Sequence, residues 1–135
     1  MFEPPEAGTL GESPFKGKKG LARVVHAFFN SLAGLQDAWR HESAFRQEIL
    51  LAAIMVPAAC VVHATAVERA MLIASVLLVL IVELLNTGVE AAIDRISFDH
   101  HSLSKRAKDI GSAAVFVALL LCAVVWLLVL PGTLK

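Results

Sequence analysis

The fold is decided by residues 67–96, VERAMLIASVLLVLIVELLNTGVEAAIDRI, a long apolar segment that ends in a series of polar residues. A helix needs roughly 20 mostly apolar residues to cross about 30 Å of hydrocarbon, so this segment can span a bilayer and project beyond it at one end. The whole chain has the same character, because 57% of its 135 residues are hydrophobic and its mean hydropathy is +0.70. This composition predicts an integral membrane protein, since ordinary soluble domains are less apolar.

Two further apolar segments are long enough to cross a membrane. One covers about residues 48–66 and contains Pro57, which a transmembrane helix tolerates when the freed carbonyl finds a local partner. The other covers about residues 104–130, with Trp126 close to an interface and Pro131 and Gly132 expected to end the helix. The predicted fold class is therefore an all-α membrane protein with three transmembrane helices.

The segment before these spans, about residues 20–40, has apolar residues at helical intervals. They are Leu21, Val24, Val25, Phe28, Phe29, Leu32, Leu35 and Trp39. This pattern predicts an amphipathic helix that lies along the membrane surface. Residues 1–19 contain Pro, Gly, Ser and charges but no apolar core of a signal peptide, so we expect a disordered lead-in. Residues 20–135 are expected to form a single domain.

The charges and cysteines exclude some functions. The formal net charge is zero, so there is no basic excess of the kind that binds nucleic acid, and no nucleic acid partner is expected. Cys60 and Cys122 both lie in apolar runs without a CxxC motif, so neither is assigned a redox or metal role.

Basic residues on the flanks predict the orientation of the chain. Two flanks carry most of them: Lys16, Lys18, Lys19, Arg23, Arg40 and Arg46 precede the first span, and Arg95, Lys105, Arg106 and Lys108 lie between the second and third. The other side carries Arg69 and Lys135. Basic flanks resist translocation, which predicts a multi-pass protein whose N-terminus and second loop, between the second and third spans, are cytoplasmic.

Four polar residues of the opening segment share one helical face. Glu83, Asn86, Glu90 and Asp94 fall within about 90° of one another at roughly 100° per residue. Ionisable groups at membrane depth are costly and normally face a protein interior or a wet cavity, which favours a functional site at the cytoplasmic end of this span. For Glu90 and Asp94 the alternative is an interfacial ion pair with Arg95, Lys105 or Lys108.

Polar residues next to the other two spans extend this candidate site. Glu42, Arg46, Gln47 and Glu48 precede the first span, and Lys108, Asp109 and Ser112 begin the third. Several carboxylates with a lysine suit a phosphate-bearing ligand and Mg²⁺, which prefers a few carboxylate oxygens together with phosphate oxygens. The GKKG at residues 17–20 lacks the spacing and the Ser/Thr of a P-loop, and no glycine-rich kinase loop is present.

Three stretches resemble the prokaryotic diacylglycerol kinase family of small membrane enzymes: ESAFRQE (42–48), VELLNTGVEAAIDRI (82–96) and LSKRAKDIGSAAV (103–115). The resemblance covers about residues 20–130. It implies a homotrimer of three-span protomers in the bacterial inner membrane, each with a surface helix, and active sites shared between protomers. It also implies transfer of the γ-phosphoryl group of MgATP to the primary hydroxyl of diacylglycerol, giving phosphatidate and ADP.

The same resemblance implies roles for individual residues. Glu83 matches the catalytic base, and Glu42 and Glu90 match carboxylates that bind Mg²⁺. The matched nucleotide and phosphate positions are Arg23, Ser31, Asn86, Lys108 and Asp109, and the supporting or substrate-binding positions are Glu48, Asp94 and Ser112. The surface helix departs from the family pattern at Asn30, Leu32 and Ala33 but keeps Ser31.

Other functions stay open from the sequence. An undecaprenol kinase of the same family has the same chemistry with a longer acceptor, although DRIS (94–97) and RAKDIGSAAV (106–115) are more typical of the diacylglycerol branch. A small proton-coupled transporter would need Glu83 alone, whereas the kinase also needs Glu42, Glu90 and Lys108. A non-catalytic membrane scaffold would need none of these residues.

Overall fold

The structure is a computed structural model that describes residues 20–96 and 102–135. Its regular elements in these ranges are four helices: α1 (Leu21–His41), α2 (Ser43–Val61), α3 (Ala66–Ile96) and α4 (Ser102–Thr133). The last three are long and apolar enough to cross a membrane. The predicted all-α membrane fold with three candidate spanning helices is therefore confirmed. The predicted disordered lead-in, residues 1–19, lies outside the described residues.

The chain divides into two compact units, and the boundary falls within α1 between Asp37 and Ala38. In the first unit, Gly20 precedes α1 with a φ of 67°, a backbone conformation that glycine adopts at little cost. Its large apolar side chains, including Leu21, Phe28 and Phe29, are exposed. Whether this helix lies on a membrane surface stays a prediction.

In the second unit, α3 is the central helix and packs against both α2 and α4. Its core is formed by Ala52 of α2, Val76 and Val79 of α3, and Ala118 and Cys122 of α4. Small side chains at such contacts let helix backbones approach closely, which is how helices associate in a membrane. This packing places the polar residues of the predicted site on α2, α3 and α4 along one central helix.

The α2–α3 connection differs from the prediction that the first span runs from about 48 to 66. The helix begins earlier, at Ser43, and ends earlier, at Val61. A capping box then starts α3: the Glu68 N–H donates to Thr65 Oγ1 (3.2 Å) and the Thr65 N–H donates to Glu68 Oε2 (2.9 Å). Thr65 therefore belongs to the beginning of α3 and not to the first span.

Arg69 fastens this connection. Its guanidinium donates from Nε to the carbonyl of Ala59 (3.0 Å) and from Nη2 to the carbonyls of Val62 (3.2 Å) and Ala64 (3.5 Å). The last carbonyls of a helix have no partner within the helix, and a cation near this terminus is favoured by the helix dipole. A single side chain thus satisfies the end of α2 and the turn that follows it.

The α3–α4 contact has polar links at the same end of the bundle. Trp126 Nε1 of α4 donates to the carbonyl of Leu72 in α3 (3.2 Å), and Ser75 of α3 lies with its hydroxyl 3.7 Å from Cys122 Sγ of α4. At the end of α4, the sequence predicts that Pro131 and Gly132 end the helix. The helix instead includes both residues and continues to Thr133. Proline in a last turn removes only one backbone hydrogen bond.

Candidate functional site

The centre of the candidate site is Glu83, which is only 5% exposed on α3. Its carboxylate interacts electrostatically with those of Glu42, Glu48 and Glu90. Two of these residues come from the start of α2 and one from α3 itself. The helix packing therefore brings together four acidic side chains that the sequence places in two separate motifs.

Glu42 stands where the chain passes from α1 to α2. It is the N-cap residue of α2, with extended backbone angles (φ −111°, ψ 108°), and its side chain makes no capping hydrogen bond. Arg46, one turn later, donates to the carbonyls of Trp39 (2.8 Å) and Arg40 (3.2 Å) and so fastens the end of α1. The Glu42 carboxylate is thus not used for capping and is held beside the other acidic groups.

Glu83, Asn86, Glu90 and Asp94 form a polar stripe along α3, and Asn86 and Glu90 are its middle part. Asn86 Nδ2 donates to Glu90 Oε1 at 3.3 Å. The other amide atom, Asn86 Oδ1, is buried without an N–H or O–H donor, and so is Glu48 Oε2. Most buried polar atoms in folded proteins have a partner, so two acceptors without one in the same cluster are an indication of a ligand site.

Lys108 links α4 to the stripe. Its Nζ donates to Asp94 Oδ1 at 2.6 Å, and it also interacts electrostatically with Glu90. Both members of the pair are half-exposed, with 40% of the Lys108 side chain and 48% of the Asp94 side chain accessible. Asp94 therefore makes the ion pair that was one alternative from the sequence, and this pair also brings the cation next to the carboxylates.

The remaining predicted residues lie elsewhere. Asp109 is exposed and pairs with Lys105 on the same helix (2.5 Å), and Ser112 is exposed on α4. Arg23 and Ser31 are on the part of α1 that belongs to the first unit, where Ser31 Oγ donates to the carbonyl of Ala27 (2.9 Å). Their predicted roles toward a nucleotide stay predictions.

The acidic groups are compatible with a Mg²⁺ ion that takes some of its ligands from a bound phosphate. Within the described ranges, no group of three or more His, Cys, Asp or Glu side chains is arranged to hold a metal ion by itself. Mg²⁺ usually binds one or two carboxylates and takes its other ligands from water and substrate phosphates. Glu42 and Glu90, both near Glu83, carry carboxylate oxygens of the type that Mg²⁺ prefers, and Lys108 is the cation beside them.

An apolar groove of about 440 Å³ lies between α3 and α4 beside this cluster. Its lining is almost entirely aliphatic, and Asn86 is its polar member: Val82, Leu85, Asn86, Val89, Ala107, Ile110, Gly111 and Ala114. A hydrocarbon chain in this groove would end next to the polar stripe.

Gly111 is a residue of this region that sequence reasoning missed. It faces Asn86 so closely that a Cβ at position 111 would overlap Asn86 Oδ1, whereas a Cβ at Gly88 would meet no atom within 4 Å. Both glycines stand inside helical segments next to predicted site residues. No local signal separates them, because the difference arises from the contact between two helices.

Comparison with known proteins gives a consistent set of relatives. The family model described as prokaryotic diacylglycerol kinase matches residues 29–130. The protein named diacylglycerol kinase from Pseudomonas aeruginosa is 50% identical over 123 residues, which cover 91% of this chain and 100% of that protein. Those from Escherichia coli K12 (45% over 111 residues) and Haemophilus influenzae (46% over 107 residues) cover 82% and 79% of this chain, and 91% of each relative.

Proposed function

The chain belongs to the prokaryotic diacylglycerol kinase family, and we propose that its acidic cluster transfers the γ-phosphoryl group of ATP to the primary hydroxyl of diacylglycerol. It is a membrane lipid kinase, and its products are phosphatidate and ADP. Family membership sets aside the transporter and the scaffold as readings of the buried carboxylate. Undecaprenol as the acceptor is left as an alternative within the family.

The observation that carries the proposal is the surrounding of Glu83. A carboxylate that is 5% exposed on a spanning helix, with three other carboxylates near it, costs free energy that packing does not return. Groups in this situation cluster at functional sites. Glu83 accepts the proton of the lipid hydroxyl. The hydroxyl oxygen attacks the γ-phosphorus, and the bond from this phosphorus to the ADP oxygen breaks.

Glu42 and Glu90 are the proposed ligands of Mg²⁺. When bound, the ion neutralises charge on the phosphate oxygens. Without a cation, the four carboxylates would repel the phosphates of ATP, and Glu42 and Glu90 would hold the divalent cation that reduces this repulsion. Lys108 adds a point charge for a phosphate oxygen, and its pairing with Asp94 keeps its ammonium beside the site.

The apolar groove beside Asn86 supports a lipid acceptor. A diacylglycerol has one hydroxyl head and long hydrocarbon chains, and an aliphatic groove that ends at a polar stripe suits both parts. Arg23, Ser31 and Asp109 are proposed to contact the nucleotide, and Glu48 and Ser112 to support the site, on the family resemblance. For α1 we propose a position on the membrane surface, supported by its exposed apolar residues.

We further propose that the active form is a homotrimer with sites shared between protomers. The support is the partial exposure of Asn86, Glu90 and Asp94 in a single chain, on a helix long enough to span a bilayer. Polar groups exposed to lipid are costly, and a neighbouring protomer would cover them. The basic flanks support an inner-membrane location with the N-terminus and the site in the cytoplasm, where ATP is available.

The direct test is an assay of the purified protein in mixed micelles with MgATP and diacylglycerol, with phosphatidate as the measured product. We expect phosphatidate to form, and to form faster than phosphorylated undecaprenol when the two acceptors are present at equal mole fraction. A preference for undecaprenol would assign the chain to the other branch of the family. Absence of both products would refute the proposed activity.

A further inference from the structure

Gly111 of α4 meets the side chain of Asn86 of α3 and no other group as closely. A Cβ at position 111 would overlap Asn86 Oδ1 and lie 3.2 Å from Asn86 Cγ and 3.9 Å from Asn86 Cβ. Its three nearest neighbours would thus all belong to one side chain. Among the glycines inside described helices, Gly34, Gly88 and Gly132 would meet nothing within 4 Å. The missing side chain at Gly111 therefore has a specific consequence for Asn86.

Asn86 uses the space that Gly111 leaves. Asn86 Oδ1 lies where the Cβ of any other residue at position 111 would be, so the amide packs against the backbone of α4. Oδ1 is buried and has no N–H or O–H donor. At its other end the amide donates from Nδ2 to Glu90 Oε1 (3.3 Å). Asn86 thus connects the backbone of α4 to the Glu90 carboxylate.

We propose that Gly111 is a positioning residue for phosphoryl transfer. Because it carries no Cβ, it lets the Asn86 amide lie against α4 and hold the Glu90 carboxylate in the orientation that binds the metal. The inference rests on the proposed role of Glu90 as a ligand of Mg²⁺. It adds to that role a requirement on a residue of a different helix, which lines the apolar groove and does not touch the metal.

Gly111→Ala separates this role from folding. The atom that a new Cβ would overlap is the far end of a short side chain with two rotatable bonds, so Asn86 can rotate away without moving the helices apart. This rotation breaks the hydrogen bond to Glu90. Alanine is also more favourable than glycine in the interior of a helix, so we do not expect the temperature of unfolding to fall.

The experiment uses the full-length protein in mixed micelles and two measurements of metal binding. One is the Mg²⁺ concentration that gives half-maximal turnover with ATP and diacylglycerol. The other does not depend on turnover: the affinity for Mn²⁺ in the presence of a non-hydrolysable ATP analogue, from the paramagnetic resonance signal of the free ion. For Gly111→Ala we expect the Mg²⁺ concentration for half-maximal turnover to rise, and the affinity for Mn²⁺ to fall, by about tenfold or more each. Losses of this size are typical when a metal ligand loses its outer hydrogen bond. Gly88→Ala, the matched control, should behave like the parent.

A second pair of variants tests whether the effect passes through Asn86. Asn86→Ala removes both the overlap and the hydrogen bond, so it should weaken metal binding by itself, and adding Gly111→Ala should then weaken it no further. The proposal can be refuted even if Gly111→Ala alone does not fold, because parental metal affinity in Asn86→Ala contradicts it. Parental metal affinity in Gly111→Ala or in Asn86→Ala, or an equal loss from Gly111→Ala with and without Asn86, would overturn the proposal.

Glu90→Gln, measured beside them, separates the two levels of inference. If Glu90→Gln weakens metal binding and Gly111→Ala does not, only the positioning role is lost. If Glu90→Gln itself leaves the affinity for Mg²⁺ and Mn²⁺ unchanged, the proposed metal site is refuted and the positioning role with it.

Discussion

The two ends of α3 use polar side chains in opposite ways. At its beginning, Thr65 and Glu68 cap each other's N–H groups, and Arg69 donates to three backbone carbonyls. Toward its other end, Glu83 lies among three other carboxylates, and Asn86 Oδ1 is buried without a donor. The first group of residues satisfies itself, whereas the second leaves like charges and acceptors uncompensated.

This difference distinguishes a structural polar network from a functional one. A buried acceptor without a donor costs about 1–3 kcal/mol, and buried like charges cost more unless a cation joins them. Proteins keep such arrangements at sites where a ligand supplies what is missing. The beginning of α3 should therefore affect stability when mutated, and the other end should affect catalysis.

The largest expected effect is from Glu83→Gln. The amide keeps the shape of the side chain but cannot take the proton of the lipid hydroxyl, so we expect the turnover number to fall by about a hundredfold or more. The matched control is Glu68→Gln on the same helix, where the amide oxygen can still accept the Thr65 N–H. Phosphatidate formation and the unfolding transition are measured for both.

Transfer by Glu83→Gln within about tenfold of the parent would remove Glu83 from the role of base. A comparable loss in Glu68→Gln would break the contrast between the two ends of the helix, because the capping network would then be needed for catalysis as well.

The next effect is on metal dependence. If Glu90 holds Mg²⁺ against the phosphates, Glu90→Gln should raise the Mg²⁺ concentration for half-maximal activity by about tenfold or more, in addition to any loss of maximal rate. A titration of initial rate against Mg²⁺ at fixed ATP measures this. Lower turnover with the parent's Mg²⁺ dependence would give Glu90 another role.

Arg69→Ala tests the structural end. It leaves the carbonyls of Ala59, Val62 and Ala64 without their donor, so we expect a loss of about 2 kcal/mol in the free energy of unfolding. Arg69→Lys keeps the charge but not the fork of donors, and should lose less. Turnover per folded molecule should be unchanged, and unfolding of Arg69→Ala at the parent's midpoint would show that this network does not stabilise the hairpin.

These regions also differ in what the sequence could predict. The stripe of Glu83, Asn86, Glu90 and Asp94 follows from helical periodicity, and the three spans follow from apolar length, because both are properties of one segment. The capping box of Thr65 and Glu68 is a local signal too, and it places Thr65 at the start of α3 and outside the first span.

Contacts between helices could not be predicted in the same way. The sequence left Asp94 with three possible cationic partners, and only the packing of α4 on α3 selects Lys108. The approach of Gly111 to Asn86 and the bonds of Arg69 to α2 likewise depend on distances between segments far apart in the chain. Local pattern thus identified most of the chemical groups, and tertiary packing decides which of them meet.

Single cysteines near the two ends of α3 test which end faces ATP. Of the variants proposed here, they should have the smallest effect on activity. Ser102 is the first residue of α4, at the end of this helix that carries Lys108. His63 lies in the turn before α3, and both residues are exposed. His63 is preferable to Thr65, whose loss as a cap would cost about 1 kcal/mol. The background replaces Cys60 and Cys122, and none of these positions carries a proposed role in catalysis.

The basic flanks predict that Ser102 is cytoplasmic and that His63 is outside the inner membrane. A membrane-impermeant thiol reagent should therefore label His63→Cys in intact cells and should label Ser102→Cys only after the inner membrane is opened, while both variants keep the parent's turnover. The reverse pattern would place Glu83, Glu90 and Lys108 on the side without ATP. The contrast between the two ends of α3 would then survive as a structural fact, but the acidic end could not be the site of an ATP-dependent reaction.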